Sequence, residues 1–242
     1  MDVRLEGVSL RGAKIQRASF VRARGASVRF DESSLDGASI LESALPNASF
    51  ASATMRGTKL IRSVLINAYF DQNTITSGLR IEGSALPHAQ LEGCLLDSLS
   101  ASRVRLNGAI LRGASLRGGT LDGADLRLAD LRFARLGGAK LTEADLRGSR
   151  LKGATFVGAQ MQKVRLDDAD CTSVDMSSAN LSDASFNGSE LRHTIFESAD
   201  ISHARFQGSR CELVSFANCR GKDTANFEGL TMRMGLCIVL KP

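Results

Sequence analysis

The chain has 242 residues, a net charge of +5, 5% aromatic residues and no tryptophan. No apolar run reaches the roughly 18 residues that a membrane-spanning helix requires, and Val3 and Leu5 already stand in the repeat register described below, so neither a membrane span nor a signal peptide is expected and the cytoplasm is the expected location. The small positive balance leans towards acidic partners, while the missing tryptophan removes the commonest anchor of protein interfaces.

From the N-terminus a large apolar residue recurs at every fifth position: Leu5, Leu10, Ile15 and Phe20, then Gly25 as the single break, then Phe30, Leu35, Ile40, Leu45, Phe50, Met55, Leu60, Leu65, Phe70 and Ile75. Ile81 follows Ile75 by six, which places one inserted residue, a bulge or small loop, within Thr76 to Arg80. From Ile81 the rule runs to Phe216 with Ala101 as its one small centre, and it is unbroken from Leu106 to Leu151. Two places before each of those leucines stands a small residue, as in Ala109, Ala114, Ala124, Ala129 and Ala134, with Gly119 once and Val104 at the start. Leu79 and Leu99 fill such small slots, so the coils near residues 76 to 101 are expected to be irregular. Beyond Phe216 the pattern frays. Phe227 and Met232 resume it one residue late, and the apolar stretch from Met232 to Leu240 reads as a cap or a self-association strand over an otherwise open edge.

A period of five fits neither a helix, at 3.6, nor a half-buried strand, at 2.0. The chain must therefore turn one corner per five residues. Interiors pack to crystal-like density, so a narrow tube holds one bulky side chain per corner only if its inward neighbour is small.

The units Ala124-Asp125-Leu126, Ala129-Asp130-Leu131, Ala144-Asp145-Leu146 and Ala179-Asn180-Leu181 resemble the A(D/N)LXX motif of the pentapeptide-repeat proteins. That resemblance implies an all-β fold, a right-handed quadrilateral β-helix with four pentapeptides per coil, and the central and small residues both pointing inward. At the interstrand spacing this is a rod of about 12 coils and roughly 55 to 60 Å. The expected organisation is a β-helix over 1–216 with a register slip near 76–81, and an irregular last coil with a cap or self-association segment over 217–242. Of the five cysteines, Cys171 and Cys211 fall on central positions and Cys94 on a small one, where a buried small hydrophobe is expected. A reducing compartment follows.

Because a coil takes about 20 residues, side chains 20 apart stack in columns on the outer walls. Val21, Leu41 and Ile61 form one apolar column, and Ala26, Pro46 and Ile66 the next. Contiguous exposed apolar residues mark a candidate protein or dimer interface. Arg127 and Arg147 stack in one column and Arg112, Arg132 and Lys152 in its neighbour, in a stretch (103–152) with 11 Lys or Arg against 5 Asp or Glu. This basic face could follow a phosphate backbone. The interleaved Asp125, Asp130 and Asp145 and the lack of alternating aromatics disfavour nucleic acid. Further on, Asp167, Asp168, Asp170, Asp175, Asp183 and Glu190 make an acidic stretch. The resemblance implies that such residues could mimic DNA towards DNA gyrase or topoisomerase IV and protect against quinolones, although the chain is basic over its first two-thirds.

Motifs for catalysis are missing. His88, His193 and His203 all occupy the outward place two after a centre, and there is no GxSxG, HExxH or complete phosphate loop. No catalytic residue, metal or cofactor is expected. The expectation is a non-catalytic scaffold for another protein, with homodimerisation through an end or the apolar columns as one route and no membrane contact. The alternatives are the topoisomerase-binding DNA mimic and a substrate-recognition domain of a longer secreted effector or secretion-system protein.

Overall fold

The computed structural model describes residues 3–232. Within them there is no helix, and the residue just before each centre pairs in parallel with its counterpart one coil on: Arg4 with Arg24, Ser100 with Thr120, Asp130 with Arg150. Each side of the square repeats one pattern. The Leu111 N–H donates to the Asp130 carbonyl (2.7 Å), and the Asp130 N–H donates to the Ala109 carbonyl (2.9 Å).

Corners close through a bond from the third residue after a centre back to the centre, as from the Ala109 N–H to the Leu106 carbonyl at 3.0 Å. The residue two after the centre takes a left-handed φ, +67° at Gly108 for example. This is the geometry of a type II turn, in which glycine and asparagine are at ease.

Centres and small residues point inward as expected. Leu111, Leu131 and Leu151 are fully buried, as are Ala109, Ala129 and Cys171. The lumen stacks like on like: Phe30, Phe50 and Phe70 lie ring over ring at 5.0 and 4.9 Å, and Phe186, Phe206 and Phe227 at 4.9 and 5.0 Å.

The insertion lies elsewhere than the sequence suggested. Thr54 pairs with Ile75, Thr74 and Thr76 are buried, and Ile75 faces out. The extra residue therefore sits at the corner Asp71–Asn73, ahead of Ile75 and not within Thr76 to Arg80. There the Thr74 N–H reaches the Asp71 carbonyl (3.0 Å), and the Asp71 carboxylate accepts from the Ser52 N–H (2.8 Å) and the Thr74 hydroxyl (2.8 Å). Turn-forming Asp and Asn side chains decide the register, and the threonines go inside although isoleucine is the more apolar residue. The coils at 76–101 are also regular where irregularity was expected. Lys59, Arg80, Ser100 and Thr120 make one continuous ladder. Leu99 fills the lumen in place of the small centre Ala101 on the same side, and both are buried.

Gly25 breaks the pattern for a steric reason. A Cβ there would stand 2.5 Å from the Leu5 carbonyl carbon and 2.7 Å from the Glu6 nitrogen, so the first coil closes onto the second where a side chain would otherwise be. Past Phe216 a second extra residue lies between Arg220 and Asn226, since Asp200 pairs with Arg220 but Arg205 with Asn226. The chain resumes one residue late, as expected, with β4 (Arg210–Cys211) against β5 (Thr231–Met232). The expected cap, from 233 on, lies outside the described residues.

Candidate interaction surfaces

One edge of the tube departs from the tight corner. Three strands, β1 (Ser19–Val21), β2 (Ser39–Leu41) and β3 (Lys59–Ile61), run through it in parallel, with Val21 opposite Leu41 and Leu41 opposite Ile61. The cause is a ladder of inward hydroxyls. Ser43, Ser63 and Ser84 stand one coil apart, and each accepts the N–H of the coil before, from Ala23 (3.0 Å), Ser43 (3.2 Å) and Ser63 (2.9 Å). The Ser43 hydroxyl then donates to the Leu41 carbonyl at 2.9 Å. With the corner N–H groups satisfied by serine, the corner need not fold back on itself, and the strands run on to Val21, Leu41 and Ile61.

On that wall the structure gathers the candidate residues. Val21 and Ile66 are each 38% exposed, and Leu41, Ile61, Ala26 and Pro46 are half-buried. Between the two columns runs a third that sequence reasoning missed: Ala44 pairs with Val64 and Val64 with Ala85. Pro87 extends the Pro46 and Ile66 column, since the Asn67 N–H donates to the Pro87 carbonyl as the Asn47 N–H does to that of Ile66. The 20-residue spacing of Ala44 and Val64 was the available signal. The result is three apolar columns on one wall, with the ion-paired column Arg22, Glu42 and Arg62 (3.5 and 2.6 Å) running between the first and the second.

The basic columns border the next wall. Arg127 and Arg147 stand at one of its corners, Arg112, Arg132 and Lys152 at the other, and Arg150 lies between. Most of these cations are held. Arg127 makes hydrogen bonds of 2.8 Å to both Asp125 oxygens, Arg132 bonds Asp130, Arg147 bonds Asp145, and Arg112 bonds Glu92 at 3.0 Å. In each Asp-Leu-Arg unit the carboxylate also accepts the arginine's own N–H at 3.2 Å. That bond braces the corner, which explains Asp at this place of the repeat. Asn180 does the same for the Ser182 N–H (3.1 Å).

Hydrogen bonds from Arg127 and Arg132 hold Asp125 and Asp130 below the ordinary carboxylate range. For Asp145, burial pushes upward but is outweighed by bonds and charge from Arg147 and Arg165. A depressed folded-state pKa gives stability that is full above the unfolded value of about 4 and is lost as pH falls through the folded value. Thermal midpoints are therefore expected to be flat from about pH 7 to about pH 5 and to fall below about pH 4. Melts of a triple Arg127→Gln, Arg132→Gln, Arg147→Gln variant should show a smaller acid decrement. An equal decrement would remove these pairs from the explanation.

The acidic candidates do not gather on one face. Asp167 and Asp168 share a corner, and Asp170 and Glu190 stack on the adjoining wall between Arg150 and Arg210. Asp175 sits on a third wall between Thr155 and Ile195, and Asp183 stands at another corner. Several serve the backbone: Asp170 accepts the Thr172 N–H (3.1 Å), and Asp175 accepts the Ser177 N–H (2.9 Å).

His88, His193 and His203 occupy left-handed positions at three different corners. Among the described residues no group of three or more His, Cys, Asp or Glu could hold a metal ion. Burial, with the Asp71 charge beside it, pushes the Cys94 thiol up to about 12, and burial raises Cys171 as well, so neither is a thiolate at neutral pH. No described helix is long and apolar enough to cross a membrane.

The family model for pentapeptide repeats matches eight copies, over residues 4–40, 89–127, 109–148, 129–168 and 169–208. The unmatched stretch between 41 and 88 carries the open corners of β2 and β3 and the Asp71–Asn73 insertion. Among solved structures the chain is similar to HetL from the cyanobacterium Nostoc, a pentapeptide repeat protein involved in heterocyst differentiation regulation. Identity is 22%, coverage is 93% of this chain and 94% of that one, and the TM-score is 0.31. It is also similar to full-length QnrB1, a plasmid-mediated fluoroquinolone resistance protein, at 13% identity, 79% and 94% coverage and a TM-score of 0.34. A pentapeptide repeat protein of the Arabidopsis thaliana thylakoid lumen shares 26% identity over 40% of this chain and 68% of its own, with a TM-score of 0.25. No curated protein matches the chain.

Proposed function

The chain belongs to the pentapeptide-repeat family of right-handed quadrilateral β-helices, and from that premise we propose that it is a non-catalytic scaffold binding another protein through the apolar wall around Leu41, Ile61 and Ile66. One observation carries the reading. Leu41 with Ile61, Ala44 with Val64, and Pro46 with Ile66 stack in three apolar columns on one wall, edged by the ion-paired Arg22, Glu42 and Arg62, and a partner would cover the apolar area these half-exposed side chains still present. A filled lumen supports the non-catalytic part, since it leaves recognition to the outer walls. Cys94 and Cys171, held inside as thiols, support placing the protein in a reducing compartment such as the cytoplasm.

A variant carrying Leu41→Asp and Ile61→Asp is expected to keep its circular dichroism while losing partner retention, or self-association in light scattering, by about tenfold or more. Unchanged solution mass together with an unchanged set of retained proteins would contradict the reading. Topoisomerase binding stands behind it, because the carboxylates are spread over several walls among arginines. Supercoiling by DNA gyrase, with and without quinolone, separates the two: a scaffold for some other protein leaves it unaltered.

A further inference from the structure

The wall beside the apolar one carries two residues at odds with their backbone. Where a non-glycine residue takes a left-handed φ at a corner, it is charged or polar in all but three described cases: Leu128 (φ +58°), Phe133 (φ +61°) and Leu213 (φ +52°). A bulky side chain is strained there because its Cβ crowds the neighbouring carbonyl. Nor does burial within the chain offset the strain, since Leu128 is 72% exposed and Phe133 58%. The two stand on adjacent corners of one coil, at either edge of the wall that holds Asp130.

Both side chains are nevertheless seated. A Cβ on Gly148 would lie 2.9 Å from Leu128 Cδ2, and one on Gly153 would lie 2.7 Å from Phe133 Cδ1, so the next coil clears a shelf for each. Six cations surround them, Arg112, Arg127, Arg132, Arg147, Arg150 and Lys152, with Asp130 between the two corners and Asp170 one coil beyond Arg150 on the same wall. Four of the arginines are ion-paired; Arg150 and Lys152 have no ion pair among the described residues.

We propose that this wall is a second docking surface, fitted to an acidic protein that packs apolar side chains against Leu128 and Phe133 and sets carboxylates against Arg150 and Lys152. Seated apolar side chains that are exposed at a cost in strain suit a hot spot of a protein interface. Charge selects an acidic partner. A nucleic acid fits less well: leucine offers no ring for a base, and Asp130 would face the phosphates. The surface is separate from the wall in the proposed function.

The test is selection of peptides from a random phage-displayed library on the full chain, with counter-selection on a variant carrying Leu128→Asn and Phe133→Asn. Asparagine tolerates the left-handed turn, so this variant is expected to melt above the wild type while losing binding. Selected peptides should combine Asp or Glu with Leu, Ile or Phe and bind the wild type about tenfold or more tightly than the variant. They should weaken with salt and be indifferent to Leu41→Asp and Ile61→Asp. Labelled duplex DNA and polyglutamate serve as comparison probes. Peptides without that composition, equal binding to the asparagine variant, a variant that melts lower, or DNA or polyglutamate bound as tightly as the peptides would each overturn the proposal.

Discussion

Phe50→Ala is expected to remove about 3 to 5 kcal/mol of stability and to split unfolding into two steps. The ring is fully buried between Phe30 and Phe70, at 5.0 and 4.9 Å, in parallel stacks. Its removal leaves a cavity that the neighbouring coils cannot close, because their separation is set by the backbone ladder at Ser49 and Tyr69. In a solenoid each coil touches only its neighbours, so a weak layer uncouples the coils on either side. Urea titration followed by circular dichroism should show a second transition and a shallower slope. One transition displaced by less than about 1 kcal/mol would count against this account of the lumen.

Gly25→Leu restores the five-residue pattern on paper and is expected to destabilise the protein by about 1 to 3 kcal/mol or more. The reason is steric and lies in the backbone: the first atom of any side chain meets Leu5 and Glu6 at 2.5 to 2.8 Å. Relief requires the first coil to lift, which breaks the bonds from the Leu5 N–H to the Arg24 carbonyl (2.7 Å) and from the Ala26 N–H to the Glu6 carboxylate (2.8 Å). Hydrogen exchange should therefore accelerate over residues 3–24 and remain unaltered beyond about residue 45. A variant as stable as the wild type, with protection of the first coil intact, would refute the argument.

The two walls proposed for binding obtain their character differently. Around Leu41 and Ile61 the buried serine ladder opens a corner, and apolar side chains line the strand ends there. Around Leu128 and Phe133 the corners stay tight, and bulky groups are placed where glycine or asparagine would be easier. The first device shapes the wall from within, and the second carries recognition on the turns themselves.

The amino-acid sequence alone determined which side chains fill the tube and which columns line its walls. That information is local: inward and outward places alternate along each short side, so Leu106 to Leu151, Cys94 and Cys171 could be assigned without knowing how one coil meets the next. The apolar and basic columns followed from the 20-residue repeat. Only the tertiary structure decided what depends on contacts between coils. Ile75 faces out and Thr76 in because the length of the Asp71 corner, not side-chain polarity, sets the register. The open corner at Leu41 rests on hydroxyls of Ser43 and Ser63 that reach the coil before. Gly25 is demanded by the backbone of Leu5, and Leu128 and Phe133 find their places over glycines 20 residues further on. For the open corner, Gly25, Leu128 and Phe133 the deciding partner lies a full coil away, where a five-residue pattern carries no signal; at Asp71 it is the corner's own length, which that pattern does not encode.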